Sequence, residues 1–185
     1  IMGMDANVSL EICMSFYGRI TGHECSRVKF TDEEPIHSVF LDAYWIDQTE
    51  VTNSMYALCV QAGDCQQPKV KSSTRDPYYG NAQYANYPVI NVTCNDAQAY
   101  CKWSGVHLPT EAEWEKAARG TDGRIYPWGD NDPSCSLANL NPYGNNACVG
   151  DTNKVGSYPS GESLYGALDM AGNVWEWVDD VFDGD

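Results

Sequence analysis

Positive charge is scarce in this sequence. Its 185 residues carry 11 Lys and Arg against 26 Asp and Glu, a formal charge of -15. Binding to nucleic acid or to an anionic membrane needs basic patches, so neither partner is expected. No apolar run approaches the roughly 18 residues of a membrane helix, so no membrane insertion is expected. The opening Ile1-Met2-Gly3-Met4-Asp5 lacks the basic start and apolar core of a secretory leader. If the protein is secreted, its leader lies upstream or has been removed. His23, His37 and His107 never pair at i, i+3 or i, i+4, which argues against a helix-borne zinc or iron site. There is no G-x-S-x-G, no phosphate loop, no dinucleotide fingerprint, no internal repeat and no low-complexity tract.

Cysteine, by contrast, is plentiful. Eight cysteines, none in zinc-type C-x-x-C pairs, read as disulfides made in an oxidising, extracellular or cell-surface setting. Proximity pairs Cys13 with Cys25, Cys59 with Cys65 and Cys135 with Cys148, each closing a polar or Gly/Asn-rich loop. Cys94 and Cys101 remain. On one helix their Cα atoms would stand about 10 Å apart, too far for a bridge. The acidic balance suits cation binding, and equally a plain solvated surface.

The length fits one domain, residues 1-185, of α+β type with more loop than usual. Residues Ile1 to Met4 read as a strand end, and Asp5 to Asp32 as irregular chain. Alternation over Pro35 to Asp47 predicts a strand with Val39, Leu41, Ala43 and Trp45 on one face. Thr52 is an N-cap for a helix with Met55, Tyr56, Cys59 and Val60 as its apolar stripe and Gly63 as its stop. Gln66 to Tyr87 is an ordered loop. Its Tyr78, Tyr79, Tyr84 and Tyr87 form either a binding face or ordinary packing. Pro88 to Val92 is a short strand, and Asn95 to Ser104 a helix closed by Gly105. Thr110 and Glu113 make a capping box for a third helix, with Trp114, Ala117 and Ala118 inward and Gly120 at its end. Glu111, Glu113 and Glu115 belong to that cap and to the solvent face, not to an acid–base pair. Tyr126 to Asp130 is an aromatic-anchored turn. Asn7-Val8-Ser9 and Asn91-Val92-Thr93 are glycosylation sequons.

The stretch around which the chain is organised is Leu168 to Trp177, L-D-M-A-G-N-V-W-E-W. Asp169 and Glu176 supply carboxylates, and Gly172 permits a sharp turn that exposes backbone carbonyls. Oxygen donors around a glycine turn suit a hard cation such as Ca²⁺. A tight acidic turn with Trp175 and Trp177 facing inward would look the same in sequence.

Taken in order, M-G-M-D near Ile1, F-L-D-A-Y-W-I-D-Q-T-E-V-T-N, Y-P-V-I-N-V-T, A-Y-C-K-W-S-G-V-H-L-P-T-E-A-E-W-E-K-A-A-R-G, Y-P-W-G-D and Y-G-A-L-D-M-A-G-N-V-W-E-W resemble the formylglycine-generating enzyme, or sulfatase-modifying factor, family over nearly the whole chain. The resemblance implies an irregular, disulfide-stapled C-type-lectin-like fold with structural calcium. One calcium site would use the side chains of Asp169 and Glu176 and the carbonyls of Gly172 and Val174. A second would start at Asn139 and Leu140 and end at Asp151, whose spacing departs from the family pattern. The family's oxidase chemistry uses copper on a cysteine pair after a G-G-S-[WY] motif. Neither that motif nor that pair occurs in these residues, so no catalytic residue is assigned. The family partner of Cys101 also lies in that tail, and the domain is expected to be incomplete at its C-terminus, with a tail or neighbouring chain completing its sheet. The leading expectation is a non-catalytic, extracellular, calcium-stabilised binding or structural module for a protein or glycan ligand. The alternatives are a formylglycine-generating oxidase, with its copper cysteines in a C-terminal segment, and a subunit of a cell-surface assembly or filament.

Overall fold

The computed structural model describes residues 2–16, 25–27, 31, 34–140 and 148–181. Four α-helices are present among these residues: α1 (Ala6–Phe16), α2 (Asn53–Ala62), α3 (Cys94–Ser104) and α4 (Glu111–Arg119). Two single 3₁₀ turns, Ala82–Tyr84 and Pro159–Gly161, punctuate the loops.

The helix ends follow local chemistry. Thr52, Thr93 and Thr110 each accept a hydrogen bond from a first-turn N–H of α2, α3 and α4. Asp96 and Glu113 close full capping boxes on α3 and α4. Gly63 and Gly105 end α2 and α3 with left-handed backbone.

Helix α1 replaces the irregular chain expected after Asp5. The Asp5 carboxylate accepts from Asn7 N–H at 2.8 Å and Val8 N–H at 3.3 Å, a cap at the start of eleven residues without Gly or Pro. The strands expected at 35–47 and 88–92 are not formed among the described residues. Each is irregular chain with one isolated bridge, Met2 to His37 and Thr52 to Pro88. A strand requires a ladder partner along its length, and alternation alone does not supply one. The expected face of 35–47 is also reversed at its end. Tyr44 and Ile46 turn inward, whereas Trp45 is fully exposed.

The core has two parts. Tyr56 and Cys59 of α2, Tyr100 of α3, Cys65 and Tyr79 form one, with the Cys59–Cys65 disulfide inside it. Met55, expected in the α2 stripe, is exposed instead. Ala117 and Ala118 of α4 pack with Ala167 and Met170 in the other, flanked by Ile46 and Trp114. Disulfides Cys13–Cys25 and Cys135–Cys148 are also formed, and Cys94 and Cys101 are free thiols on α3. The four loop tyrosines do not make a face. Tyr78 and Tyr79 are buried, and Tyr84 and Tyr87 pack on Tyr78.

Thr110→Ala removes the α4 cap and should destabilise the protein by about 1 kcal/mol in denaturant unfolding. An unchanged midpoint would show that the capping box contributes nothing.

Candidate functional site

The 168–180 stretch is tethered by hydrogen bonds to segments far from it in sequence. Leu168 N–H donates to the Gln48 carbonyl at 2.7 Å, and Asp179 N–H to the Pro109 carbonyl at 2.9 Å. The Trp177 indole donates to the Val92 carbonyl at 3.1 Å, and Asp180 accepts from Glu111 N–H at the start of α4. These contacts tie together segments 69 to 120 positions apart.

Asn173 is the densest node. Its Oδ1 accepts from Asn139 Nδ2 at 3.0 Å and from Asn153 N–H at 2.7 Å. Its Nδ2 donates to Glu50 Oε1 at 2.7 Å and to the Asn153 carbonyl at 3.3 Å. Its own N–H donates to the Asn139 carbonyl at 2.9 Å. Asn173 has φ +56° and Asp169 φ +59°, the left-handed region in which Asn and Asp are the best tolerated non-glycine residues. Gly172, at φ +87°, passes so close that a Cβ would lie 2.5 Å from the Asn139 carbonyl oxygen and 2.7 Å from Leu140 Cδ2. Glycine is required there on both counts.

Three carboxylates share this region. Asp169 is 6% exposed and accepts from Gly156 N–H at 2.6 Å. Glu176 accepts from the Trp114 indole at 2.8 Å. Glu50 uses Oε1 on Asn173, while its Oε2 is buried without a hydrogen-bond partner. Burial first, and the Asp169 charge second, push the Glu50 pKa up to about 8. Burial also raises the Glu176 pKa, against the opposing Trp114 hydrogen bond. Glu176 itself is exposed along a groove, with its carboxylate held on the Trp114 indole.

That groove, about 680 Å³, is lined by Trp45, Trp114, Trp175 and Trp177 and by four acids, Asp47, Glu50, Glu113 and Glu176, with no Lys or Arg. Trp175 is fully exposed and Trp177 half exposed, so the aromatic pair does not turn into the core.

A buried, unpartnered carboxylate oxygen beside two further carboxylates suits a hard cation. Among the described residues no three His, Cys, Asp or Glu side chains form a ready-made metal-holding group. A cation there would therefore draw on main-chain oxygens, which the turn at Gly172 and Val174 can offer. The expected second set is different. The Asp151 carboxylate does not face Asn139. Its Oδ2 accepts from Ser73 Oγ at 2.7 Å, Thr74 N–H at 3.0 Å and Thr74 Oγ1, and its Oδ1 from Thr152 N–H at 2.6 Å. Of Asp151, Asn139 meets the main-chain carbonyl, at 2.8 Å, and the Leu140 carbonyl accepts from Cys148 N–H at 2.8 Å. Burial alone would raise the Asp151 pKa, but hydrogen bonds from Thr74, Ser73 and Thr152 outweigh it and hold the pKa below the ordinary value.

Glu50, Asn173 and Trp114 were not among the expected site residues. Glu50 lies just ahead of the Thr52 cap, and nothing local signals its burial. Asn173 follows Gly172 directly, and an Asn after a turn glycine is the one available hint.

Residues 16–185 match the model of the sulfatase-modifying factor enzyme 1-like domain. The chain is 43% identical over 109 residues to a formylglycine-generating enzyme of Mycobacterium tuberculosis, covering 55% of this chain and 36% of that protein. It is 33% identical over 176 residues to a hercynine oxygenase of Mycolicibacterium smegmatis, covering 80% and 39%. It is 44% identical over 109 residues to a Bos taurus protein named inactive C-alpha-formylglycine-generating enzyme 2, covering 55% and 36%. The chain thus spans little more than a third of the length of these relatives.

With a chelator present, stability should fall as pH rises from 5 to 8. The folded state keeps a Glu50 proton that the unfolded chain releases near 4.5, so the contribution is complete below 4.5 and is lost as pH passes about 8. Glu50→Gln should flatten the slope of melting temperature against pH. A slope unchanged by that substitution would show that Glu50 is not the group responsible.

Proposed function

Because the chain belongs to the sulfatase-modifying factor family, we propose that it forms a calcium-stabilised, non-catalytic binding or structural module of the C-type-lectin-like fold, working outside the cell. The observation that carries the calcium reading is the buried, unpartnered Oε2 of Glu50 beside Asp169 and Glu176. Asp169 and Glu176 would hold the ion with the carbonyls of Gly172 and Val174. A bound Ca²⁺ supplies two positive charges to a region whose lining has none. Three disulfides support an oxidising location, and no helix among the described residues is long and apolar enough to cross a membrane.

The binding face of the module is the acidic, tryptophan-lined groove. Chain without regular structure borders it at residues 43–47 and 175–177, and its occupant is an extended polypeptide segment that lies along it. Cationic and apolar side chains on that segment would match the four acids and four tryptophans. A tail or a neighbouring chain fits this description, as would a partner subunit in a surface assembly.

Similarity to formylglycine-generating enzymes favours a second reading, a copper-dependent oxidase that converts a sulfatase cysteine. Its copper cysteines would lie outside these residues, since the free thiols Cys94 and Cys101 sit seven positions apart on α3. Conversion of a cysteine peptide to its aldehyde, followed by mass, decides between the two readings. Product would overturn the non-catalytic one.

The calcium reading is tested by melting the protein in chelator and in millimolar Ca²⁺. An ion that binds the folded state alone stabilises it by about 2.7 kcal/mol at a hundred times its Kd. Asp169→Ala and Glu176→Ala should each abolish the shift. No shift in the parent protein would overturn the reading.

A further inference from the structure

The Asp151 pole is built as though its cation were already in place, and that cation is Arg75. Its Nη1 stands 3.6 Å from Asp151 Oδ1 and donates to the Thr152 carbonyl at 2.8 Å and to Thr152 Oγ1 at 3.1 Å. The guanidinium carbon lies 5.2 Å from the ring centroids of both Tyr84 and Tyr87. The side chains of Arg75 and Asp151 are only 20% and 8% exposed. The turn that presents Arg75 is held by Ser73, whose Oγ accepts from Arg75 N–H while donating to Asp151.

We propose that Arg75 is the built-in counter-cation of Asp151, so that this pole is closed by a side chain and takes up no metal ion. Two features make the substitution sound. A guanidinium is weakly hydrated and stacks on aromatic faces, so it tolerates burial between Tyr84 and Tyr87 better than an ammonium would. Calcium needs six to eight oxygen ligands, yet the Asp151 oxygens already accept four hydrogen bonds from Ser73, Thr74 and Thr152. A metal ion would have to strip those donors and expel a charge of its own sign. Among the described residues there is then one metal-dependent pole, at Asp169 and Glu176, and one metal-independent pole at Asp151. The count of one ion rests on the calcium reading above, whereas the Arg75–Asp151 pairing does not.

Calorimetric titration of the chelator-treated protein with Ca²⁺ gives the count, and a double-substitution cycle gives the pairing. The expected results are one ion per chain, an Asp151→Asn variant that still binds one, and an Arg75→Met variant whose melting temperature falls on the order of 5 °C in chelator and in Ca²⁺ alike. Most of that fall should vanish when Asp151→Asn is added, because no uncompensated carboxylate remains. Two ions in the parent protein, one of them lost in Asp151→Asn, would overturn the proposal. So would independent, additive effects of the two substitutions. Zero ions together with a strongly coupled cycle would overturn the calcium reading at the other pole and leave Arg75 in its role. The parent count needs no variant, so misfolding of a variant does not block the test.

Discussion

The side chain of Asn173 is the interaction on which the rest depends. One amide meets Glu50 ahead of α2, Asn139 in the loop closed by Cys135–Cys148, and Asn153 beyond it. Few regular elements surround these loops, so their relative positions are set by such nodes rather than by a sheet. A part-buried amide with both its oxygen and its nitrogen engaged is costly to disturb, because each broken bond leaves a polar group poorly placed to reach water. The left-handed backbone at Asn173 and the close passage of Gly172 against Asn139 follow from the same requirement.

Charge is distributed unevenly about that node. On one side, Glu50, Asp169 and Glu176 crowd together with no cationic side chain lining the groove beside them. On the other, Asp151 has Arg75 and four hydrogen-bond donors. A chain with so few basic residues has placed one, largely out of water, against Asp151 and left the opposite side anionic. The family resemblance already sets Asp151 apart by its spacing, and the geometry shows its carboxylate turned to Ser73, Thr74 and Arg75.

What the sequence discloses about such a molecule is what is written locally. The caps at Thr52, Thr93 and Thr110 can be read from three or four neighbouring residues, as can the stops at Gly63 and Gly105, because their hydrogen bonds are local. Cysteine pairing by proximity matches the bridges formed, each partner lying within fifteen or so positions. The Leu168 to Trp177 stretch is legible as a centre through its unusual density of Trp, acid and Gly. Burial of Glu50 is not legible, since it comes from Asn173, 123 positions away. Arg75 and Asp151 lie 76 positions apart, and no spacing rule joins them. Alternation between 35 and 47 suggests a strand but says nothing of whether a partner runs beside it, nor which face Trp45 takes. Helix α1 is legible in retrospect from Asp5 and the absence of Gly and Pro, signals that a cysteine-rich, sequon-bearing stretch obscures.

The three disulfides are not equivalent in depth. Cys59 and Cys65 are 0% and 3% exposed within the α2–α3 core, whereas Cys135 is exposed on a loop. A soluble thiol therefore reaches the outer bridge by collision but reaches the inner one when the tyrosines around it part. The rate at which the inner bridge is reduced becomes a clock for core breathing, readable without any label.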